Sequence, residues 1–333
     1  MILELLKELG AAVRQKVHSS LRTQSLEQMA AVYHEGVDDT IYHIDKEVED
    51  LLVPLLEARA AALGGVVLLA EGINDSRPLV LPPYMREEEA AWRLLIDPID
   101  GTRGIMYDKR SVFLLAGAAP NQGANTRLQD ITVALMAELP TSRALYADML
   151  WATKGQGTQG ERFNLWTQER STFSPQPSRA ASLLQGFGQV ARFFPPGRER
   201  LAAIEEEMLA LIFPDMPEGK ALVFEDQYIS SGGQLYELLM GHDRYVADVR
   251  HALFTQMRLE GLRGGHVCHP YDLAAHLIGA EAGLIITDVQ GASLDAPFSL
   301  TAPVDWIAYA NRHIHQQVQP AFELTLRKHQ LIA

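Results

Sequence analysis

Apolar residues recur at helical spacing through residues 2–35, and the pattern predicts an amphipathic helix there. A second helical stretch covers 38–63, with Pro54 placed to kink it by removing a backbone donor. The period then changes. Short apolar runs, GGVVLLAEG (64–72), AAWRLLID (90–97), SVFLLAGAAP (111–120), DITVALMAELP (130–140) and RALYADMLWAT (143–153), predict strands, the first of them buried. QERSTFSPQPSRAAS (168–182) is rich in Ser and Pro and predicts a boundary between a lobe at 1–180 and one at 181–333. Beyond it, helices are predicted at 198–213, 232–241 and 270–283, the last with Pro at its start and Gly at its end, and strands at 244–250 and 284–291. There is no internal repeat. The mixed order of helices and strands predicts an α/β or α+β layered fold.

The length of 333 residues suits one large unit or two lobes with a sizeable core. A net charge of −13 makes a nucleic-acid polymer an unexpected partner, and it would repel a phosphorylated substrate unless cations reverse the field locally. Cys268 is the one cysteine, so no disulfide forms within the chain and a reducing compartment is favoured. The first residues carry acids rather than a basic secretory pattern, and no apolar run reaches membrane-spanning length. The expectation is a cytoplasmic protein with no membrane partner.

The chemistry concentrates at IDPIDGTRG (96–104). A strand ending at Asp97 presents its carboxylate at the sheet edge, Pro98 fixes the turn, and Asp100 returns to the same side. Two hard oxygen ligands close together suit Mg²⁺, and the Ile99 carbonyl between them offers a third. A helix starting at Gly101 would turn the amides of Thr102, Arg103 and Gly104 toward an anion. Taken alone, D-x-x-D reads more often as an Asx-turn that caps a helix. Glu71, ending the strand VVLLAEG, and Asp272, in the first turn of PYDLAAHLIGAEAG, are the acids that change that reading.

With these residues in view, the sequence resembles the inositol monophosphatase superfamily, which also holds fructose-1,6-bisphosphatases and 3′-phosphoadenosine 5′-phosphate phosphatases. The central signature stands as DPIDGT (97–102), the C-terminal one as YDLAAHLIGAEAGLIITDVQG (271–291), the upstream Gly-Glu-Glu as AEG (70–72) and the earlier helix as IYHIDKEVE (41–49). The resemblance implies a layered α-β-α-β-α sandwich of the sugar-phosphatase type with its site between two lobes. It implies a phosphomonoesterase with two or three Mg²⁺ ions, Mn²⁺ being a possible substitute. Asp97 would bridge two ions, Glu71 and the Ile99 carbonyl would complete one site, and Asp100 and Asp272 the other. Thr102 with Glu71 would orient and deprotonate a water, and Gly101, Thr102, Arg103 and Gly104 would hold the phosphate. Arg103, Arg250 and His269 are candidate substrate contacts. The implied substrate is a small polyol or sugar phosphate, with fructose 1,6-bisphosphate or 3′-phosphoadenosine 5′-phosphate as alternatives, and the implied assembly is a homodimer.

This copy departs from the pattern. The aromatic before the C-terminal Asp is Tyr271, the second acid of Gly-Glu-Glu is Gly72, a family glycine is His276, and Arg103 replaces the usual residue after Thr. The altered positions keep a second class open, a catalytically silent binding or scaffold protein. Three other signals are set aside. GQGTQG (155–160) reads as a hairpin turn, since no helix follows it. HVCHPYD (266–272) lacks four ligands at zinc spacing, and Cys268 has no nameable base. The EEE runs at 87–89 and 205–207 read as solvated faces.

Overall fold

The computed structural model describes residues 1–35, 40–74, 77–215 and 217–333. Helix α1 spans Ile2–Thr23 and α2 Leu26–Met29; β1 (Val32–Glu35) pairs antiparallel with β2 (Thr40–Tyr42). The single helix expected over 2–35 is therefore shorter. Ser25 ends it by starting α2, its hydroxyl accepting the Gln28 amide while the Gln28 side chain accepts the Ser25 amide. Residues 38 and 39, the start of the expected second helix, lie outside the described residues. Helix α3 (His43–Ala60) runs through Pro54 without ending. Ile44, Val48, Leu52 and Leu56 bury one face of it, and that packing offsets the ~3 kcal/mol an internal proline costs.

Strand β3 is Val66–Ala70, β4 Leu79–Leu81 and β5 Trp92–Asp100; the one-turn α4 (Thr102–Ile105) follows. Then come β6 (Val112–Pro120), β7 (Val133–Leu139), β8 (Tyr146–Thr153), β9 (Thr158–Asn164) and β10 (Arg170–Phe173). They form an eight-stranded sheet in the order β10-β9-β8-β7-β6-β5-β3-β4. GQGTQG is the turn between β8 and β9, where the Gly155 and Gly157 amides donate to Glu281 at 2.7 and 2.8 Å. β10 occupies part of the Ser/Pro-rich stretch, where Arg170 to Phe173 pair with β9.

The second sheet, ordered β12-β11-β13-β15-β14, begins with β11 (Gly186–Val190). Next are α5 (Arg198–Ile212), β12 (Val223–Phe224), α6 (Ser231–Leu239), β13 (Asp243–Asp248) and α7 (Arg250–Leu259). One 3₁₀ turn (Pro270–Leu273) precedes α8 (His276–Glu281), β14 (Ile285–Thr287), β15 (Trp306–Tyr309) and α9 (Arg312–Lys328). The helix expected over 270–283 is split, because Asp272 turns its carboxylate back to the His269 amide at 2.6 Å. The strand expected over 284–291 is shorter, since Asp288 accepts the Gln290 and Ala292 amides and closes a turn.

Three apolar clusters hold the layers together. α1 and α3 cover one face of the large sheet. α6, the 3₁₀ turn and α8 lie between the two sheets. α5, α7 and α9 close the far side of the small sheet. The result is the α-β-α-β-α sandwich. Glu205, read as part of a solvated face, is buried here, where it accepts from Val190 and from the Tyr245 hydroxyl and pairs with Arg192. Among the described residues no helix is long and apolar enough to cross a membrane.

Candidate active site

β5 does not stop at Asp97 but carries the whole Asp-Pro-Ile-Asp motif within the sheet. Asp97 lies opposite Leu115 and Asp100 opposite Phe113, so the β5 side holds one extra residue, a bulge. A bulge is where a strand tolerates proline, and Pro98 sits in it. The extra residue re-aims the carboxylates. Asp97 is 1% exposed and Asp100 5%, with Asp272 brought beside them by the 3₁₀ turn. One oxygen from each of these three lies within 4.8 Å of the others. They are the one group of three or more metal-capable side chains among the described residues.

The local turn chemistry is present as well. Asp97 Oδ1 accepts the Ile99 amide at 3.0 Å, and the Thr102 hydroxyl donates to the Ile99 carbonyl at 3.0 Å. Gly101 has φ 97°, and a Cβ there would fall 2.8 Å from the Ile229 oxygen and from Ser230 Cβ, so glycine is required. The Gly104 amide donates to the Gly101 carbonyl at 2.7 Å, which turns it away from the anion-holding role expected of it.

Asp100 is gripped by a second element. Ser230 Oγ donates to its Oδ2 at 2.7 Å, and the Ser231 and Gly232 amides at the start of α6 donate to its two oxygens. Ser230 also caps α6, accepting the Gly233 amide at 2.8 Å. The sequence reading missed these residues, although a serine followed by Ser-Gly-Gly before an apolar run is a helix-start signal. Glu71 follows β3 directly; its amide donates to Ile96, and its Oε1 lies 3.4 Å from the Tyr271 hydroxyl. At Gly72 (φ 74°) a Cβ would fall 2.3 Å from Glu49 Oε1. A carboxylate from α3 thus closely approaches the position of Gly72.

The acids pay for their proximity. Burial, then Glu71, Asp100 and Asp272, hold the Asp97 carboxyl well above its ordinary range. Burial pushes Asp100 up to about 6, against the donors from Ser230, Gly232 and Ser231. Burial and then Asp100 push Asp272 up to about 8. Arg250 supplies a nearby positive charge, but its guanidinium is committed: it bonds Asp248 at 2.8 and 2.5 Å and the His266 carbonyl at 3.1 Å.

These groups line a cleft of about 60 Å³. Glu71, Asp97, Asp100, Thr102 and Asp272 share this lining with Arg103, Phe193, Phe194, Arg250 and His266. Among the candidate residues, Gly104 and His269 do not line the cleft. His269 stacks on Tyr271, ring centres 5.2 Å apart, one step behind it. His276 is also away from the cleft, its Nδ1 3.1 Å from the Leu273 carbonyl and its imidazole pushed down by burial to about 4. Phe193 and Phe194 were not anticipated; the only hint was two aromatics abutting Pro-Pro outside any periodic element.

No family model matches the sequence, and no curated protein matches it. Solved structures do match the fold. Inositol monophosphatase from Anabaena (Nostoc) superposes with a TM-score of 0.61 at 15% identity, over 97% of this chain and 95% of that one. Fructose-1,6-bisphosphatase from Leishmania major gives 0.65 at 13% identity, over 96% and 93%. The extragenic suppressor protein SuhB from Bartonella henselae gives 0.63 at 14%, over 97% and 98%. The chain therefore has the fold of the inositol monophosphatase superfamily. Its acid cluster sits where two layers of that fold meet.

Proposed function

We propose that the chain is a Mg²⁺-dependent phosphomonoesterase that hydrolyses a small phosphate ester. The observation that carries this reading is the buried meeting of Asp97, Asp100 and Asp272 within 4.8 Å. Burial first, and then repulsion between neighbouring carboxylates at Asp97 and Asp272, raises the pKa values of this cluster. Hard divalent cations match oxygen donors of this kind and relieve the repulsion. Asp97, Asp100, Asp272, Glu71 and the Ile99 carbonyl would hold them, with Mn²⁺ as a possible substitute. When bound, Mg²⁺ acidifies water and neutralises charge on the departing oxygen.

The chain's own groups account for the rest. The Thr102 hydroxyl gives its proton to the Ile99 carbonyl, so toward the cleft it offers lone pairs that accept a hydrogen bond from water. Glu71 takes that water's proton. The water oxygen bonds to phosphorus, the bond from phosphorus to the alcohol oxygen breaks, and the alcohol leaves with the proton that Glu71 took, returned to it through solvent. Gly101, Thr102 and Arg103 border the phosphate position. The sequence resemblance points to a polyol or sugar ester; the Phe193–Phe194 side of the cleft favours the second reading, an ester of the 3′-phosphoadenosine 5′-phosphate kind.

The test is phosphate release, with and without Mg²⁺, from inositol monophosphates, fructose 1,6-bisphosphate and 3′-phosphoadenosine 5′-phosphate. Asp97→Asn is expected to abolish Mg²⁺-dependent release while circular dichroism stays that of the parent. Undiminished turnover by that variant refutes the mechanism. Absence of both turnover and calorimetric Mg²⁺ binding in the parent would make the chain a silent scaffold instead.

A further inference from the structure

Aromatic rings form one stretch of the cleft lining. Phe193 and Phe194 meet edge to face, centres 4.9 Å apart at 89°, and Phe194 meets the His266 ring at 5.7 Å. Guanidinium groups lie over both: Arg250 at 4.5 Å from the Phe193 centre and Arg103 at 5.1 Å from that of Phe194. Ile229 and Val267 add apolar surface to the same cleft.

The mounting is stiff. Phe194 precedes Pro195 and Pro196, and a residue before proline is confined to extended backbone. Arg198 donates to the Phe193 carbonyl at 2.6 Å. Gly197 packs so closely that a Cβ would fall 2.9 Å from Leu253 Cδ2. A wall held this way loses little freedom when it takes a ligand.

The phenyl rings of this wall offer a polyol no hydrogen-bond partner. Ser230 already donates to Asp100 and accepts from Gly233, and Arg250 is committed to Asp248 and the His266 carbonyl. Hydroxyls turned to this side would exchange water for phenyl rings, and each bond left unmade costs about 1–3 kcal/mol. A flat ring loses nothing there and gains aromatic contact, and the cations over the phenyl rings suit an electron-rich one.

We propose that Phe193 and Phe194 determine the specificity of the site, selecting phosphate esters whose alcohol carries a flat aromatic ring. This rests on the phosphomonoesterase reading for turnover, but the wall is read separately by binding. Calorimetry on the Mg²⁺-loaded protein would compare 2-phenylethylphosphonate with 2,3-dihydroxypropylphosphonate, whose carbon–phosphorus bonds hydrolysis leaves intact. The aryl compound is expected to bind about tenfold tighter. Phe194→Ala should bring that ratio to about twofold or less, and Phe194→Leu, which keeps apolar bulk without a π face, to about threefold. A ratio near one in the parent, or one unchanged in both variants, overturns the proposal, and the parent ratio decides even where Phe194→Ala fails to fold. Tight aryl binding lost in the variants, with no phosphate released from 2-phenylethyl phosphate, would uphold the wall and refute the hydrolase reading.

Discussion

Replacing Asp272 by asparagine should make the metal-free protein more stable and shrink the stabilisation that Mg²⁺ adds. Burial and the neighbouring Asp100 raise the Asp272 carboxyl from its ordinary 3.8 to about 8. A raised carboxyl pKa means the native state holds the proton more tightly than the unfolded chain, so stability falls as pH rises through 3.8 toward 8. Linkage puts the cost of the ionised group at about 2 kcal/mol at pH 5 and about 4 kcal/mol at pH 7. Asparagine has nearly the same shape and still accepts the His269 amide, a 2.6 Å bond in the parent, but it carries no charge. Urea unfolding in EDTA is therefore expected to favour the variant by about 2–4 kcal/mol at pH 7 and by less at pH 5. Mg²⁺ at a hundred times its dissociation constant should stabilise the parent by about 2.7 kcal/mol and the variant by far less. A variant less stable than the parent in EDTA at pH 7 would refute the electrostatic reasoning. An equal Mg²⁺ shift in both proteins would remove Asp272 from the metal site.

Ser230→Ala removes the donor to Asp100 and the cap of α6, so a loss of about 1–2 kcal/mol in urea unfolding is expected. It should also weaken Mg²⁺ binding measured by calorimetry; unchanged affinity would make Ser230 a cap and nothing more. His276→Gln probes the acid side. The native imidazole is pushed down to about 4 from 6.5, so the unfolded chain binds the extra proton and stability is lost as pH falls below 6.5. Between pH 7 and pH 5 the parent should lose about 2 kcal/mol that the variant keeps, and parallel losses would show that His276 is not the group responsible.

Much of the fold was legible because each buried strand of the large sheet carries its own apolar run with turn residues at its ends. What escaped had weaker local signals. β9, TQGERFN, is half-exposed and polar, and it pairs only because β8 lies beside it. α7 had no predicted counterpart, although Asp305, just before β15, caps it by accepting the His251 and Ala252 amides. At the site, the acids were readable as residues, but their geometry was not. β5 was expected to end at Asp97, and only pairing with β6 shows that Asp100 is still in the sheet. The contributions of Ser230, Phe193 and Phe194 are invisible without the layers that bring positions nearly a hundred residues or more away onto the DPIDGT motif.

That separation has a consequence for how the protein is made. The N-terminal half emerges first, with Glu71, Asp97 and Asp100 but neither the α6 amides that hold Asp100 nor the turn that carries Asp272. A nascent chain at that stage has an incomplete acid cluster and little means of retaining Mg²⁺ against the pool around it. On the proposed Mg²⁺ role, ion uptake would belong to the last act of folding, when the second sheet docks. A ribosome-bound chain arrested before residue 270 should show no protection by Mg²⁺ against limited proteolysis, whereas the full chain should.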